Sequence, residues 1–162
     1  MIQKKYLAVG AALIIVALVV YYVGVASEDI EPPKKSGIKF YDVRLQAPEF
    51  ISYYDSITLT PEQEKIKSDA LSSIPAPCCD DYSMLTCCCP CILSKTIWGL
   101  SNFLIVEHGY NADQLKDVIS RWVSFTNKNG YAGDACYVGR CGLQFEEDGC
   151  GGMEKLVLGA GN

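Results

Sequence analysis

The sequence has one histidine, no cysteine before Cys78, and no charged residue between Leu7 and Ala26. A single histidine excludes a multi-histidine catalytic metal site. No Ser-His-Asp arrangement can be picked out around the one histidine, so a hydrolase is not expected. There is no Cys-x-x-Cys-His for covalent haem, no glycine-rich phosphate loop and no His-Glu-x-x-His. Basic residues are scarce relative to acidic ones, 14 Lys and Arg against 19 Asp and Glu, for a net charge of −5. A nucleic-acid binder normally shows a basic patch, so that class of partner is not expected. No catalytic residue is assigned, and a non-enzyme is favoured. What remains is one domain's worth of chain: 162 residues, 49% hydrophobic and 20% charged, too apolar to be disordered.

The uncharged run from Leu7 to Ala26 is rich in Ala, Leu, Ile and Val. Twenty helical residues span about 30 Å, the thickness of a bilayer's hydrocarbon core. Tyr6, Tyr21 and Tyr22 sit near its ends, where amphipathic rings favour the interface. Lys4 and Lys5 precede the run and Glu28, Asp29 and Glu31 follow it, so the bulk of the chain is expected outside the cytoplasm. A cleaved signal peptide competes, with Gly24 and Ala26 at the −3 and −1 positions of a cut before Ser27. The length of the run favours a retained anchor. The part after residue 26 holds twelve basic and nineteen acidic residues, net −7, so it should not adhere to an anionic membrane surface.

Residues 27–58 read as a linker and an extended aromatic arm. Pro32 and Pro33 stiffen the first part. Ile38, Phe40, Tyr41, Val43, Phe50, Ile51, Tyr53 and Tyr54 suggest one or two short strands, or an arm packed on the core. Thr60-Pro61-Glu62-Gln63 predicts a helix start with a capping box, and that helix should end near Ser72, before Pro75 and Pro77. A second helix is expected from about Pro90 to a C-cap at Gly109, with Leu93, Ile97, Leu100, Phe103 and Leu104 at helical spacing. Asn111 or Asp113 should cap a third, whose apolar face holds Leu115, Val118, Ile119 and Trp122. Two helices joined by about three residues form an antiparallel hairpin. Tyr131 to Met153 is rich in Gly and Cys and predicts ordered loops; residues 154–162 predict a flexible tail. The fold class is mainly α: one N-terminal transmembrane helix, then a small helical, cysteine-clustered domain over 59–153.

The nine cysteines fall in three groups: Cys78-Cys79, then Cys87-Cys88-Cys89 with Cys91, then Cys136, Cys141 and Cys150. The first two bracket the start of the helix hairpin and the third follows its end. An antiparallel hairpin brings those ends together, so the sulfurs should converge. In an oxidising compartment disulfides are the default, yet nine is odd, and neighbouring residues in extended chain point to opposite faces. Thiolate clusters also bind soft or borderline metals such as copper(I) and zinc(II), and support iron–sulfur clusters. The candidate ligands are Cys78, Cys79, Cys87, Cys88, Cys89, Cys91, Cys136, Cys141, Cys150 and Met153. Met153 enters because a thioether three residues after Cys150 is a soft donor suited to copper(I). Were Pro90 the first helical residue, Cys89 would be the N-cap and Cys91 would lie in the first turn, where free N–H groups favour thiolate. Cys88-Cys89-Pro90-Cys91 also matches a thiol oxidoreductase pattern, but the polar stretch before it is not the buried strand such a fold needs.

From Leu59-Thr60-Pro61-Glu62-Gln63, through Ile74-Pro75-Ala76-Pro77-Cys78-Cys79, to Cys91, the chain resembles exported bacterial proteins named for a Pro-Cys-Tyr-Cys-Gly-Cys motif. It departs from them at the motif itself, with Pro77-Cys78-Cys79 and Cys87-Cys88-Cys89-Pro90-Cys91 in its place. The resemblance implies a membrane segment or anchor, a helix, and an Ile-Pro step into a cysteine knot, with metal binding as the suspected role.

Three functions are expected on these grounds. The first is a membrane-anchored, extracytoplasmic cysteine-cluster protein that binds copper or zinc, in metal handling or as an accessory to a membrane redox complex. The second is a disulfide-stapled interaction subunit without metal. The third is a thiol–disulfide oxidoreductase using Cys88 and Cys91.

Overall fold

A computed structural model describes residues 37–153 except 88, 89, 132, 135 and 148. Asp42 is extended (φ −153°, ψ 117°), and its carboxylate accepts the Arg44 N–H at 2.8 Å, which starts helix α1, Val43–Ser56. The Gln46 side-chain oxygen accepts the Tyr41 N–H at 2.8 Å and reinforces that start. The apolar run at 7–26 lies outside the described residues. Among those described, no helix is long and apolar enough to cross a membrane.

Helix α1 corrects the sequence reading, which expected strands or an extended arm over 38–55. Aromatic and β-branched residues argued for extended chain, and Pro48 inside the helix forgoes one helical hydrogen bond. The cap at Asp42 and the burial of Ala47, Phe50 and Ile51 on one helical face outweigh those local preferences.

Helix α2, Pro61–Ser72, begins with the expected capping box: the Thr60 hydroxyl accepts from Gln63 N and the Gln63 side chain accepts from Thr60 N. A small antiparallel sheet comes next. Strand β1, Pro75–Ala76, pairs with β2, Cys79–Ser83, so that Pro77 and Cys78 form the turn. Helix α3, Ile92–His108, ends at Gly109, which adopts the left-handed conformation (φ 63°) that glycine enters without Cβ strain. It starts two residues later than expected, with Cys91 as N-cap in extended conformation (φ −71°, ψ 171°). Asn111 caps helix α4, Ala112–Thr126, through a second capping box with Gln114. Trp122, late in α4, donates to the Thr96 hydroxyl, early in α3, at 2.9 Å, so these two helices run antiparallel. Two 3-10 turns, Arg140–Gly142 and Phe145–Glu147, complete the described elements. The fold is mainly helical, with four α-helices and one two-stranded sheet among the described residues.

The core is the predicted face of α4 set against α3 and α1. Leu115, Val118, Ile119 and Trp122 are fully buried, as are Ile97, Leu100 and Leu104. The Trp122 ring lies 5.0 Å from that of Phe40 and 4.9 Å, edge-on, from that of Phe50, a favoured aromatic geometry.

Among the described residues one charged side chain is buried. Lys67 of α2 is 8% exposed and donates to Asn102 Oδ1 at 2.8 Å, while Asn102 donates to the Ile57 carbonyl at 3.0 Å. Burial pushes the Lys67 ammonium below its ordinary value, against a smaller upward pull from Glu64. Between its folded and unfolded pKa the unfolded chain therefore binds more protons, and stability must rise with pH there. Urea unfolding from pH 7 to 10 should show the wild-type chain gaining on Lys67→Met as the ammonium's burial penalty disappears. A stability difference that stays flat across that range would refute the assignment.

Candidate metal centre

Four chain segments meet at the N-terminal end of α3. The first is the β1–β2 turn, which carries Cys78, 1% exposed. The second brings Cys87 and the third is Cys91, the N-cap of α3. The fourth is the Gly- and Cys-rich loop, which folds back over the helix start: Leu93 N donates to the Cys150 carbonyl and Ile92 N to the Gly152 carbonyl, each at 3.0 Å. Those N–H groups have no partner within the helix, so the loop caps it with its own backbone. Gly151 and Gly152 (φ 82° and 84°) supply the left-handed turn that this path requires. Cys150 N donates to the Arg140 carbonyl at 3.3 Å, which joins Cys150 to the turn holding Cys141. Cys136 N donates to the Cys78 carbonyl at 2.8 Å, tying the loop to the sheet.

The Sγ atoms of Cys78, Cys141 and Cys150 all lie within 4.8 Å of one another, and all three residues are buried. Cys78 shares sulfur hydrogen bonds with Cys150 and Cys87, and Cys91 shares them with the same two. Cys87 thus adjoins Cys78 and Cys91, and Cys91 adjoins Cys150, around the mutually adjacent set of Cys78, Cys141 and Cys150. In a tetrahedral thiolate site with metal–sulfur bonds of about 2.3 Å, sulfurs stand about 3.8 Å apart. Moving each sulfur by under about 1 Å would bring the buried set to that spacing. The cluster is thus able to hold a metal ion.

Its electrostatics are uneven. Cys91 is held well below the ordinary thiol range, first by its hydrogen bonds with Cys150 and Cys87 and then by the Ser94 backbone and hydroxyl, against burial. Cys78 is pushed up, chiefly by the hydrogen bond to Cys150 and by burial, although Cys87 pulls it down. For Cys150 the largest influence, from Cys78, is downward, but Cys91 and burial outweigh it and the net direction is up. The helix start thus favours thiolate at Cys91, while Cys78 and Cys150 are shifted toward the protonated form. Tyr131 closes another side. Its hydroxyl lies 3.0 Å from that of Thr126, and its pKa is raised, chiefly by burial, against a downward pull from the Thr126 hydrogen bond.

Of the ten predicted ligands, five converge: Cys78, Cys87, Cys91, Cys141 and Cys150. Cys88 and Cys89 lie outside the described residues. Cys136 is placed by its backbone. Cys79 and Met153 are placed apart from the three adjacent sulfurs. The Cys79 Sγ donates to the Tyr137 hydroxyl at 3.6 Å, and that hydroxyl donates to Asp81 Oδ2 at 2.5 Å. Cys78 and Cys79 lead one after the other into a strand, where successive side chains take opposite faces. Met153 is 44% exposed, because the carbonyl before it caps α3 while its side chain is left at the surface. Sequence reasoning missed Ser94 and Tyr131. The Cys91-x-x-Ser94 spacing at a helix start was the available signal for the first; nothing local marks the second.

No protein-family model, curated protein or solved structure matches the chain.

Proposed function

We propose that this chain is a soft-metal-binding protein whose centre is the thiol cluster of Cys78, Cys87, Cys91, Cys141 and Cys150. The observation that carries the reading is the buried set of three mutually adjacent sulfurs, extended by Cys87 and Cys91 around the start of α3. Donors that are all thiols disfavour magnesium and calcium and favour copper(I) or zinc(II). With Met153 at the surface the thioether argument for copper falls away, and four thiolates suit zinc(II) equally. The uncharged run at 7–26 and the acids after it support a location on the outer face of a membrane, where the protein handles the ion or serves a membrane redox complex.

The test is mass spectrometry of the full chain in detergent, after anaerobic loading with zinc(II) or copper(I). Native and denatured masses are compared with and without a thiol-blocking reagent. The expected result is a native mass heavier by the bound ion, with several cysteines that become blockable only on denaturation. Equal masses with about eight sulfurs locked as bridges would replace this reading with the disulfide-stapled interaction subunit.

A further inference from the structure

We infer that the C-terminal end of α4 carries a binding site for a small oxyanion, a phosphate or carboxylate group, in the cleft that Asn127 and Lys128 line. The inference does not depend on the metal-binding reading. It starts from one atom. Among the described residues, Asn127 Nδ2 is the single buried side-chain nitrogen or oxygen without a hydrogen-bond partner. Asn127 is 6% exposed, and a donor so enclosed is costly unless something accepts from it. The orientation of its amide is fixed, because Oδ1 accepts the Asn129 N–H at 3.0 Å and an amide nitrogen could not.

The cleft has a volume of about 250 Å³, several times the room that one water needs. Its lining also includes Pro77, Ser124 and Tyr131. The hydroxyl protons there are spent. Ser124 donates to the Ser120 carbonyl at 3.0 Å. Thr126 donates to the Val123 carbonyl at 2.8 Å, so its 3.0 Å contact with the Tyr131 hydroxyl takes the Tyr131 proton. The Asn127 backbone is engaged too: its N–H donates to the Val123 carbonyl at 3.3 Å and its carbonyl accepts the Gly130 N–H at 3.2 Å. The side-chain donors that remain are the Asn127 amide and the Lys128 ammonium, which forms no ion pair among the described residues. Both donate and one is a cation, so the group that satisfies them accepts hydrogen bonds and carries negative charge.

The surroundings have the same sign. A larger cleft of about 760 Å³ shares Ser124 and Lys128 with the first and adds Lys39 and Arg121. Asp117 is the one acid lining either cleft, and Arg121 pairs with it at 3.2 Å. Three cations and one paired acid make a basic wall on a chain that is net −7 after residue 26. A helix C-terminus by itself disfavours an anion. Here Lys128 follows directly on the C-cap, Asn127, and opposes that effect where it is strongest.

The experiment titrates the full chain in detergent, reduced and metal-free at low salt, with inorganic phosphate and separately with acetate, by isothermal titration calorimetry. The expected result is saturable binding of one anion per chain; the ratio of the two affinities tells a phosphate site from a carboxylate site. Asn127→Asp keeps the oxygen that accepts from Asn129 and replaces the orphaned donor by a carboxylate. It should weaken binding about tenfold or more. Lys128→Gln should weaken it about two- to fivefold, the worth of an exposed charge. Lys116→Gln removes the same charge from an exposed position of α4 outside both clefts and should change nothing. Should Asn127→Asp lose its helical circular dichroism, the two lysine variants decide. No saturable heat with either anion, or wild-type affinity in the Asn127 and Lys128 variants, would mean that water alone meets the amide. Equal losses in Lys116→Gln and Lys128→Gln would reduce binding to the general charge of the surface. Either result overturns the inference.

Discussion

Gly99→Ala is expected to destabilise the protein by at least about 3 kcal/mol, the upper range for overpacking a core, and to prevent folding where the reserve is small. Gly99 lies in α3 where the backbone of α1 passes closest. A Cβ there would overlap the Phe50 carbonyl oxygen and stand 2.8 Å from Tyr54 N and 2.9 Å from Phe50 C. Those atoms are main chain within a helix, where the Phe50 carbonyl is the partner of Tyr54 N, so neither can withdraw without breaking helical hydrogen bonds. The two helices would have to separate along their contact. Helix propensity alone predicts the opposite sign, because alanine is better than glycine inside a helix by about 1 kcal/mol. Urea unfolding monitored by circular dichroism decides between them. A more stable variant would mean that α1 and α3 are not in backbone contact.

The parts of the fold that were legible are those whose instructions are local. Thr60 with Gln63, and Asn111 with Gln114, place helix starts by chemistry contained in four residues, and Gly109 places an end. The period of Leu115, Val118, Ile119 and Trp122 marked the buried face of α4. Helix α1 was not legible, because its propensities contradict its state and tertiary burial of Ala47, Phe50 and Ile51 decides it. The strand at Cys79–Ser83 was illegible for a related reason. Asp80 and Asp81 are poor strand formers, and the segment is held by long-range bonds, Asp80 N to Gly133 O and Met84 N to Ile74 O, each at 2.9 Å.

The candidate site divides along the same line. Convergence of sulfurs from all three cysteine groups was implied by helix topology, and Cys78, Cys91 and Cys150 do meet at the start of α3. Membership within a group was not implied, since it depends on which face each side chain takes. Adjacent cysteines in extended chain must diverge, and Cys79 is the one directed to Tyr137. Only the packed structure tells which of such a pair faces inward. Cys91, assigned to the first helical turn, proves to be the cap itself.

This division yields the second large effect. Cys150→Ser should lower zinc affinity by more than the 10–100-fold seen when a supporting partner of a metal ligand is removed, because Cys150 is a ligand candidate itself. It adjoins Cys78, Cys91 and Cys141, as many of the clustered sulfurs as Cys78 does. Cys79→Ser, equally buried and 71 residues away in sequence, should leave affinity within about twofold, the ordinary scatter of a mutation outside a site. The two variants can also be compared by stability. Free zinc at 100 times the wild-type dissociation constant should stabilise the wild-type chain and Cys79→Ser by about 2.7 kcal/mol, a shift that Cys150→Ser loses almost entirely. Urea midpoints with and without zinc, under reducing conditions, give that comparison. Equal zinc-dependent shifts in Cys150→Ser and the wild type would move the ion's site away from the start of α3. Equal losses in both variants would mean that the strand face carrying Cys79 also belongs to the centre.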